Sequence, residues 1–404
     1  MSKPQRKTEP SPENSADMQG DPSSESSPAV LTSVPDVRAE AQQRSAGSTQ
    51  QTSSSKLLRL EAIRGLAALY VVLHHTIHVE FLLFGLDLGR LLRFGQEAVI
   101  LFFLVSGFVI HFSCQVSNTQ TFRTYFIKRS VRIYVPLVIV FFVGWLAESY
   151  NSGALLDVSP TQLLGNLFML HDWPPDMPGV LVEPLFGNNP LWSLAYEWWF
   201  YMLYFPLIQL GLPMKRLSTL VFGVAVVSCL VYTVWPTFVP RIFMYFAMWW
   251  SGAFLADLYI NRQAITVRSC LAPILTLGAI CTILLISALL LSQSGQKIYF
   301  GKHPFMEFRH AFFALFALLC ALAWHRLKWR GFDTLVGPFM VFAPISYVVY
   351  ISHHHLMVTA TWFDFVNNAL MAWIFYFLVL ILFSWFVELK LYPMVRRRLY
   401  AWLL

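Results

Sequence analysis

Apolar residues occupy ten stretches of this chain, each of roughly bilayer-spanning length, with short polar connections between them. The runs fall at about 62–84, 96–115, 130–148, 190–211, 216–235, 239–259, 270–291, 305–325, 335–358 and 369–391. Each is continuous rather than alternating with period two, which argues for helices and against a membrane barrel. The predicted fold is all-α, a polytopic membrane protein of about ten transmembrane helices. Ahead of the first run, residues 1–55 hold no Phe, Trp or Tyr and are rich in Ser, Gln, Glu and Pro. Such a segment cannot bury enough apolar surface to offset its ordering entropy, so it reads as a disordered cytoplasmic tail. It has no continuous apolar core and so is not a signal peptide. The membrane domain is expected over 56–395, followed by a short basic tail at 396–404.

Composition agrees: 56% of the 404 residues are hydrophobic, 13% are charged, and the mean hydropathy is +0.55. The net charge of +7 does not mark a nucleic-acid binder, because its Lys and Arg are spread over the short connections. One side of the membrane receives Lys56, Arg59, Arg123, Lys128, Arg129, Lys215, Arg216, Arg262, Arg268, Arg326, Lys328, Arg330 and Arg396 to Arg398. The longest connection on the other side, 149–189, has no Lys or Arg and carries Asp157, Asp172, Trp173, Asp176 and Glu183. The positive-inside rule then places both termini in the cytoplasm of a cell-membrane protein. An interfacial segment is expected near 161–170. The five cysteines show no CxxC spacing and read as small packing residues.

Within the apolar runs, a few polar side chains stand out as candidates for chemistry. The first run opens at Arg64 and reaches His74 and His75 eleven residues on. Eleven residues make about three full helical turns, so Arg64 and His75 share a face, roughly 16 Å apart along the axis. His75 falls at the middle of the apolar segment from Gly65 to Leu86. His74 points about 80° away from the Arg64 line, and His78 about 40°. The second run contains Glu97, Ser106 and Gly107, the last two being small enough to let helices approach. Arg129 and Arg132 are one turn apart at the start of the third run, where paired guanidiniums suit a phosphate-rich ligand. Glu197 lies inside the fourth run, which opens with Trp192 and Ser193. The ninth run ends in His353, His354 and His355, which diverge by 100° per residue and cannot ligate one metal together. No metal site is expected.

These motifs occur in a fixed order: Arg64 and His75; Phe102-Phe-Leu-Val-Ser-Gly-Phe108; Arg129-x-x-Arg132; Leu191-Trp-Ser-Leu-x-x-Glu197-x-x-Phe-Tyr201; and Ser346-Tyr-x-x-Tyr350-x-x-His353. In this the chain resembles the acyltransferase-3 family of integral membrane O-acyltransferases over about 57–391. The resemblance implies transfer of an acyl group, usually acetyl, from cytosolic acyl-CoA to a hydroxyl of an envelope or secreted carbohydrate or of a lipid-linked saccharide, with macrolides as small-molecule exceptions. Acyl-CoA (acetyl-CoA in the usual case) is then a substrate, and no permanently bound cofactor is implied. The family's arginine and histidine fall on Arg64 and His75, and its paired arginines on Arg129 and Arg132.

The expected roles follow. His75 is the general base, for which an unperturbed pKa of about 6.5 is suitable. Arg64 and Glu197 complete the catalytic set, with Glu197 or another carboxylate able to offset the effect of burial on His75. Arg129 and Arg132 hold the CoA phosphates, and Trp192 and His353 bind the acceptor. Many relatives have an acidic residue where this chain has Ile100, and Glu97 is the carboxylate one turn earlier. The sequence runs to Leu404, and the esterase-like domain that some relatives append is not expected. A glycan or lipid-intermediate transporter would also keep buried ionisable groups, but a neutral-sugar transporter has no need of the paired arginines at the cytosolic edge, and the sequence shows no obvious internal repeat.

Overall fold

The computed structural model describes residues 58–77, 82–83, 86–117 and 121–404. The tail expected at 1–55 and His78 lie outside the described residues. Helix α1 covers 58–76. It is followed by α2 (Gly95–Val116), α3 (Phe122–Ser152), α4 (Pro160–Leu167), α5 (Trp192–Gln209), α6 (Met214–Val234) and α7 (Phe238–Ile260). The second half holds α8 (Leu271–Gln293), α9 (Phe305–Arg326), α10 (Phe332–Leu335), α11 (Ser346–His353), α12 (Ala369–Phe386) and α13 (Tyr392–Leu403).

Local chemistry sets several of these ends. Thr121 caps α3, its hydroxyl accepting from the Thr124 N–H at 3.3 Å, and Gly153 closes the helix in the left-handed conformation at φ +69°. Ser159 caps α4, with Pro160 in its first turn, which gives the interfacial segment expected near 161–170 a helical core. Asn368 caps α12 through the Met371 N–H.

Six helices among the described residues are long and apolar enough to cross a membrane: α2, α3, α6, α8, α9 and the continuous helical stretch Ala369–Leu403. The expected ten are therefore reduced to six by length and hydropathy. The other four runs are helical, yet differ in character. Helix α1 carries Arg59, Glu61 and Arg64 and stops at residue 76, so His75 sits at a helix end and not at mid-span as the sequence led us to expect. Beyond it the chain turns back on itself, Leu82 pairing with Asp87 and Leu83 with Leu86. Helices α5 and α7 are rich in Trp and Tyr, which lowers their hydropathy. The ninth run breaks into α10, a 3-10 stretch at Gly337–Ile345, α11 and a π-helical turn at His354–Val358.

Helix α7 is the centre of the bundle, packing against α2, α5, α6, α8 and α9. Met244, Tyr245, Met248, Trp249 and Trp250 on it are all fully buried. Inside a membrane, association rests on close packing and hydrogen bonds more than on hydrophobic burial, so small residues matter most. Gly107 and Gly252 provide that contact reciprocally. A Cβ on Gly107 would lie 1.9 Å from the Trp249 carbonyl oxygen, and one on Gly252 would lie 1.9 Å from the Leu104 carbonyl oxygen. Both obstacles are backbone, so neither can rotate aside. Gly107→Val is expected to destabilise the bundle by about 3 kcal/mol and to lower the yield of monodisperse protein. A wild-type unfolding temperature in the variant would show that the two backbones can separate at little cost.

Candidate active site

Two cavities of about 210 Å³ each adjoin at one side chain, Tyr350. Helix α1 serves both from a single face. Arg64 lines the first cavity and, eleven residues later, His75 lines the second. The shared face read from the spacing is therefore present, but it places the two residues in different cavities. Helix α5 divides in the same way. Trp192 faces the second cavity, while Ser193, Glu197 and Tyr201, spaced four residues apart, face the first.

Three guanidiniums meet in the first cavity. Arg64, Arg129 and Arg132 line it together. Arg64 Nη1 donates to both carboxylate oxygens of Glu61, at 3.1 and 3.3 Å. Arg132 pairs with Glu388 and lies between the rings of Tyr347 and Tyr392, at 5.0 and 5.2 Å. Arg129 lies 5.7 Å from the Tyr125 ring and 5.8 Å from that of Tyr201, and its buried Nε has no hydrogen-bond partner among the described residues. Of the predicted pair, Arg129 is thus the one not engaged by a carboxylate side chain. Glu388 was not singled out from the sequence, although a lone carboxylate inside an apolar run is the signal that would have found it.

Glu197 belongs to this same cavity. Its Oε1 accepts from Ser106 Oγ at 2.6 Å and from the Tyr201 hydroxyl, and Ser106 in turn accepts from Trp249 Nε1 at 3.2 Å. The carboxylate expected to tune His75 therefore lies in the other cavity. The cause is helical geometry: five residues beyond Trp192, Glu197 has turned about 140° away from the His75 side. Glu97 does not substitute for the acidic residue absent at Ile100. It is buried in an ion pair with Arg309, which also donates to the Phe300 carbonyl at 2.7 Å.

The second cavity is lined by imidazole, indole and carboxamide groups: His74, His75, Gln96, Trp173, Asn189 and Trp192, with Asp176 and Tyr350. Its histidines are ordered by hydrogen bonds. His353 Nδ1 lies 2.6 Å from the Tyr350 carbonyl oxygen, an acceptor, so this nitrogen carries the proton and Nε2 carries the lone pair. His75 Nδ1 lies 2.9 Å from the Val71 carbonyl oxygen and 3.3 Å from His353 Nε2. Both neighbours are acceptors, so His75 Nδ1–H is the donor and Nε2 is the basic nitrogen. His353 is fully buried and absent from the cavity wall. The acceptor-binding role expected for it is corrected accordingly: it backs His75. Trp192 is on the wall, stacked 5.8 Å from the buried His310 ring.

The π-helical turn begins immediately after His353. Such turns often occur at functional sites. Here the turn carries His355 to Glu148, 3.3 Å away and also bonded by Thr359 Oγ1 at 2.8 Å. His74 packs on the first residue of α2, where a Cβ on Gly95 would meet its ring at 2.2 Å. No three His, Cys, Asp or Glu side chains converge as a ligand set among the described residues.

The long connection before α5 forms the outer edge of the second cavity. Burial raises the Asp176 carboxyl above the usual carboxylate range, with Lys302 opposing and Asp172 and Glu307 adding to the rise. Asp172 was counted as an outer-face carboxylate, but it is fully buried and paired with Arg241 of α7 at 2.5 Å. The Tyr196 hydroxyl donates to Asp172 at 2.7 Å, and Arg241 Nη1 to the Pro178 carbonyl at 2.6 Å. This network fixes the segment carrying Trp173 and Asp176 on the bundle. Arg241 was missed in the sequence because it stands at the start of a run, where it reads as an ordinary flanking charge.

A family model described as an acyltransferase domain matches residues 57–389. Acyltransferase MdmB of Streptomyces mycarofaciens is 29% identical over 185 residues, a stretch covering 42% of this chain and 45% of that relative. The chain thus spans less than half the length of the curated relative it matches. No solved structure matches.

Proposed function

Because the chain belongs to the acyltransferase domain family, we propose that it is a membrane O-acyltransferase working between the two cavities. The donor is acyl-CoA, with acetyl as the acyl group that the family resemblance favours. The acceptor is a hydroxyl of an envelope or secreted carbohydrate or of a lipid-linked saccharide. The observation that carries this reading is the pairing of a three-arginine cavity with an imidazole and indole cavity at a single shared residue, Tyr350. Guanidiniums suit the phosphates of CoA, and indoles suit the apolar faces of a sugar ring. The basic cavity faces the cytoplasm on this reading, as the Lys and Arg of the short connections imply, and both termini lie on that side.

In the reaction, His75 Nε2 takes the proton of the acceptor hydroxyl as its oxygen attacks the thioester carbonyl. The new C–O bond forms, the C–S bond breaks, and the proton passes to the departing CoA thiolate. The positive charge on His75 is met by the lone pair of His353 Nε2 through His75 Nδ1–H. His353 is therefore a positioning residue, held in turn by the Tyr350 carbonyl. Arg64, Arg129 and Arg132 bind the donor, Trp192 and Asn189 the acceptor, and Glu197 fixes the hydroxyls of Ser106 and Tyr201 beside the donor.

Arg129 offers the most direct test of the donor. Arg129→Ala is expected to weaken acyl-CoA binding by about 1.5–3 kcal/mol, the worth of a charge-assisted hydrogen bond, with little change in unfolding temperature. Arg132→Ala is expected to lower stability as well, because it strands the Glu388 carboxylate. Titration calorimetry with acetyl-CoA on both purified variants separates the cases. Unchanged affinity in Arg129→Ala would leave these arginines as membrane-boundary anchors and remove the donor assignment.

A further inference from the structure

The two cavities are separate, and the atoms that close the wall between them are specific. Ser193 Oγ and the Tyr350 hydroxyl are 2.8 Å apart, and the Tyr350 hydroxyl donates to the Pro190 carbonyl at 2.6 Å. Ser193 faces the arginine cavity, Pro190 faces the histidine cavity, and Tyr350 faces both. A short hydrogen-bond chain thus crosses the wall. Since the Tyr350 proton goes to Pro190, the Ser193 hydroxyl is the donor in the first bond. The wall is continuous with the base: the Tyr350 ring lies 6.0 Å from that of His353, which lies 5.0 Å from that of His75. Ser193 is also in the first turn of α5, where the helix dipole places partial positive charge.

Acyl transfer requires the thioester carbonyl and the acceptor hydroxyl to meet, so it must occur where this wall stands. We propose that Ser193 is the oxyanion donor of the reaction: its hydroxyl turns from Tyr350 to the thioester carbonyl oxygen and stabilises the negative charge that forms there. This rests on the acyl-CoA reading above. The step balances as follows. The acceptor oxygen adds to the carbonyl carbon while His75 takes its proton, and the C=O pair moves onto the oxygen facing Ser193. Collapse reforms C=O and expels the CoA thiolate, which receives the proton. Ser193 donates a hydrogen bond throughout and is never acylated. Breaking the Ser193–Tyr350 contact opens the wall on the arginine side, while Tyr350 keeps its bond to Pro190.

An alternative reading of the same contact is structural, with Ser193 and Tyr350 joining α5 to α11. The two readings differ in which kinetic constant moves. For an oxyanion donor, Ser193→Ala is expected to lower kcat by about 10²-fold, with acyl-CoA KM and unfolding temperature little changed. Ser193→Thr, which keeps the hydroxyl, is expected to retain most of the rate. If Ser193→Ala fails to fold, Ser193→Cys keeps the packing with a weaker donor, and its kcat is expected to fall by at least tenfold. The measurement is acetyl-CoA turnover with a saccharide acceptor on purified protein, with acetyl-CoA binding and intact mass recorded in parallel. Wild-type kcat in Ser193→Ala or Ser193→Cys would overturn the proposal, as would an acyl mass increment on Ser193. Failure of the wild-type protein to bind or turn over acetyl-CoA would instead count against the donor assignment beneath it.

Discussion

His75→Ala is expected to lower turnover by about 10²–10⁴-fold, the usual worth of general-base catalysis, while acyl-CoA binding is largely retained. The expectation rests on three observations. His75 lines the histidine cavity. Its Nδ1 is fixed between the Val71 carbonyl and His353, which makes Nε2 the basic nitrogen. The three arginines proposed to hold CoA line a different cavity, so on that reading truncating His75 removes no group that holds CoA. His74 is the companion variant. It lines the same cavity, but its Nδ1 bonds the Leu92 carbonyl at 2.5 Å and its ring packs on Gly95. His74→Ala is expected to cost at most about tenfold. His353→Ala is expected to fall between the two, because it leaves the base in place but no longer oriented. Equal losses in His74→Ala and His75→Ala would mean that the cavity is sensitive to any truncation, and the base assignment would fail.

The second large effect concerns stability. Arg241→Ala is expected to destabilise the protein by about 3–5 kcal/mol, because it leaves Asp172 buried without its cation. The segment carrying Trp173 and Asp176 should loosen with it, so acceptor KM is expected to rise before donor KM does. Replacing the pair together, as Asp172→Leu/Arg241→Met, is expected to restore much of the stability, since neither charge is then stranded. Thermal unfolding of the two single variants and the double variant measures the coupling. Additive losses in the double variant would show that the two charges do not act as a pair.

Most of the helical skeleton was legible in the sequence, because unbroken apolar runs permit little else. The runs at 96–115, 305–325 and 216–235 became α2, α9 and α6 with shifts of only one or two residues at their ends. The count of spans was less legible. Helices α5 and α7 are rich in Trp and Tyr, and most of these rings are buried against other helices, so their hydropathy is low although both are helical. The end of α1 was also hidden, because the apolar run continues past residue 76 while the helix does not.

Most of the polar residues that line the two cavities stood out singly in the sequence, but their grouping did not. The spacing of Arg64 and His75 correctly gave one helix face, yet one face can serve two cavities at different depths. Glu197 was assigned to His75 because both are ionisable groups within apolar runs, and only the turn of α5 shows that it belongs with Ser106 and Tyr201. Partners distant in sequence left no local signal. Glu388 lies 256 residues from Arg132, and Arg241 lies 69 from Asp172.

The central claim is that donor and acceptor enter from opposite sides and meet at the wall formed by Ser193 and Tyr350. Its most direct test uses proteoliposomes of known orientation, checked by labelling cysteines introduced in 149–189. Acetyl-CoA is confined to the side of Arg64, Arg129 and Arg132, and a membrane-impermeant saccharide acceptor is supplied on the side of His75 and Trp192. Acyl transfer is expected in this arrangement and is expected to vanish when both substrates are placed together on either side. Efficient transfer with both substrates on one side would contradict a reaction carried across the wall between the two cavities.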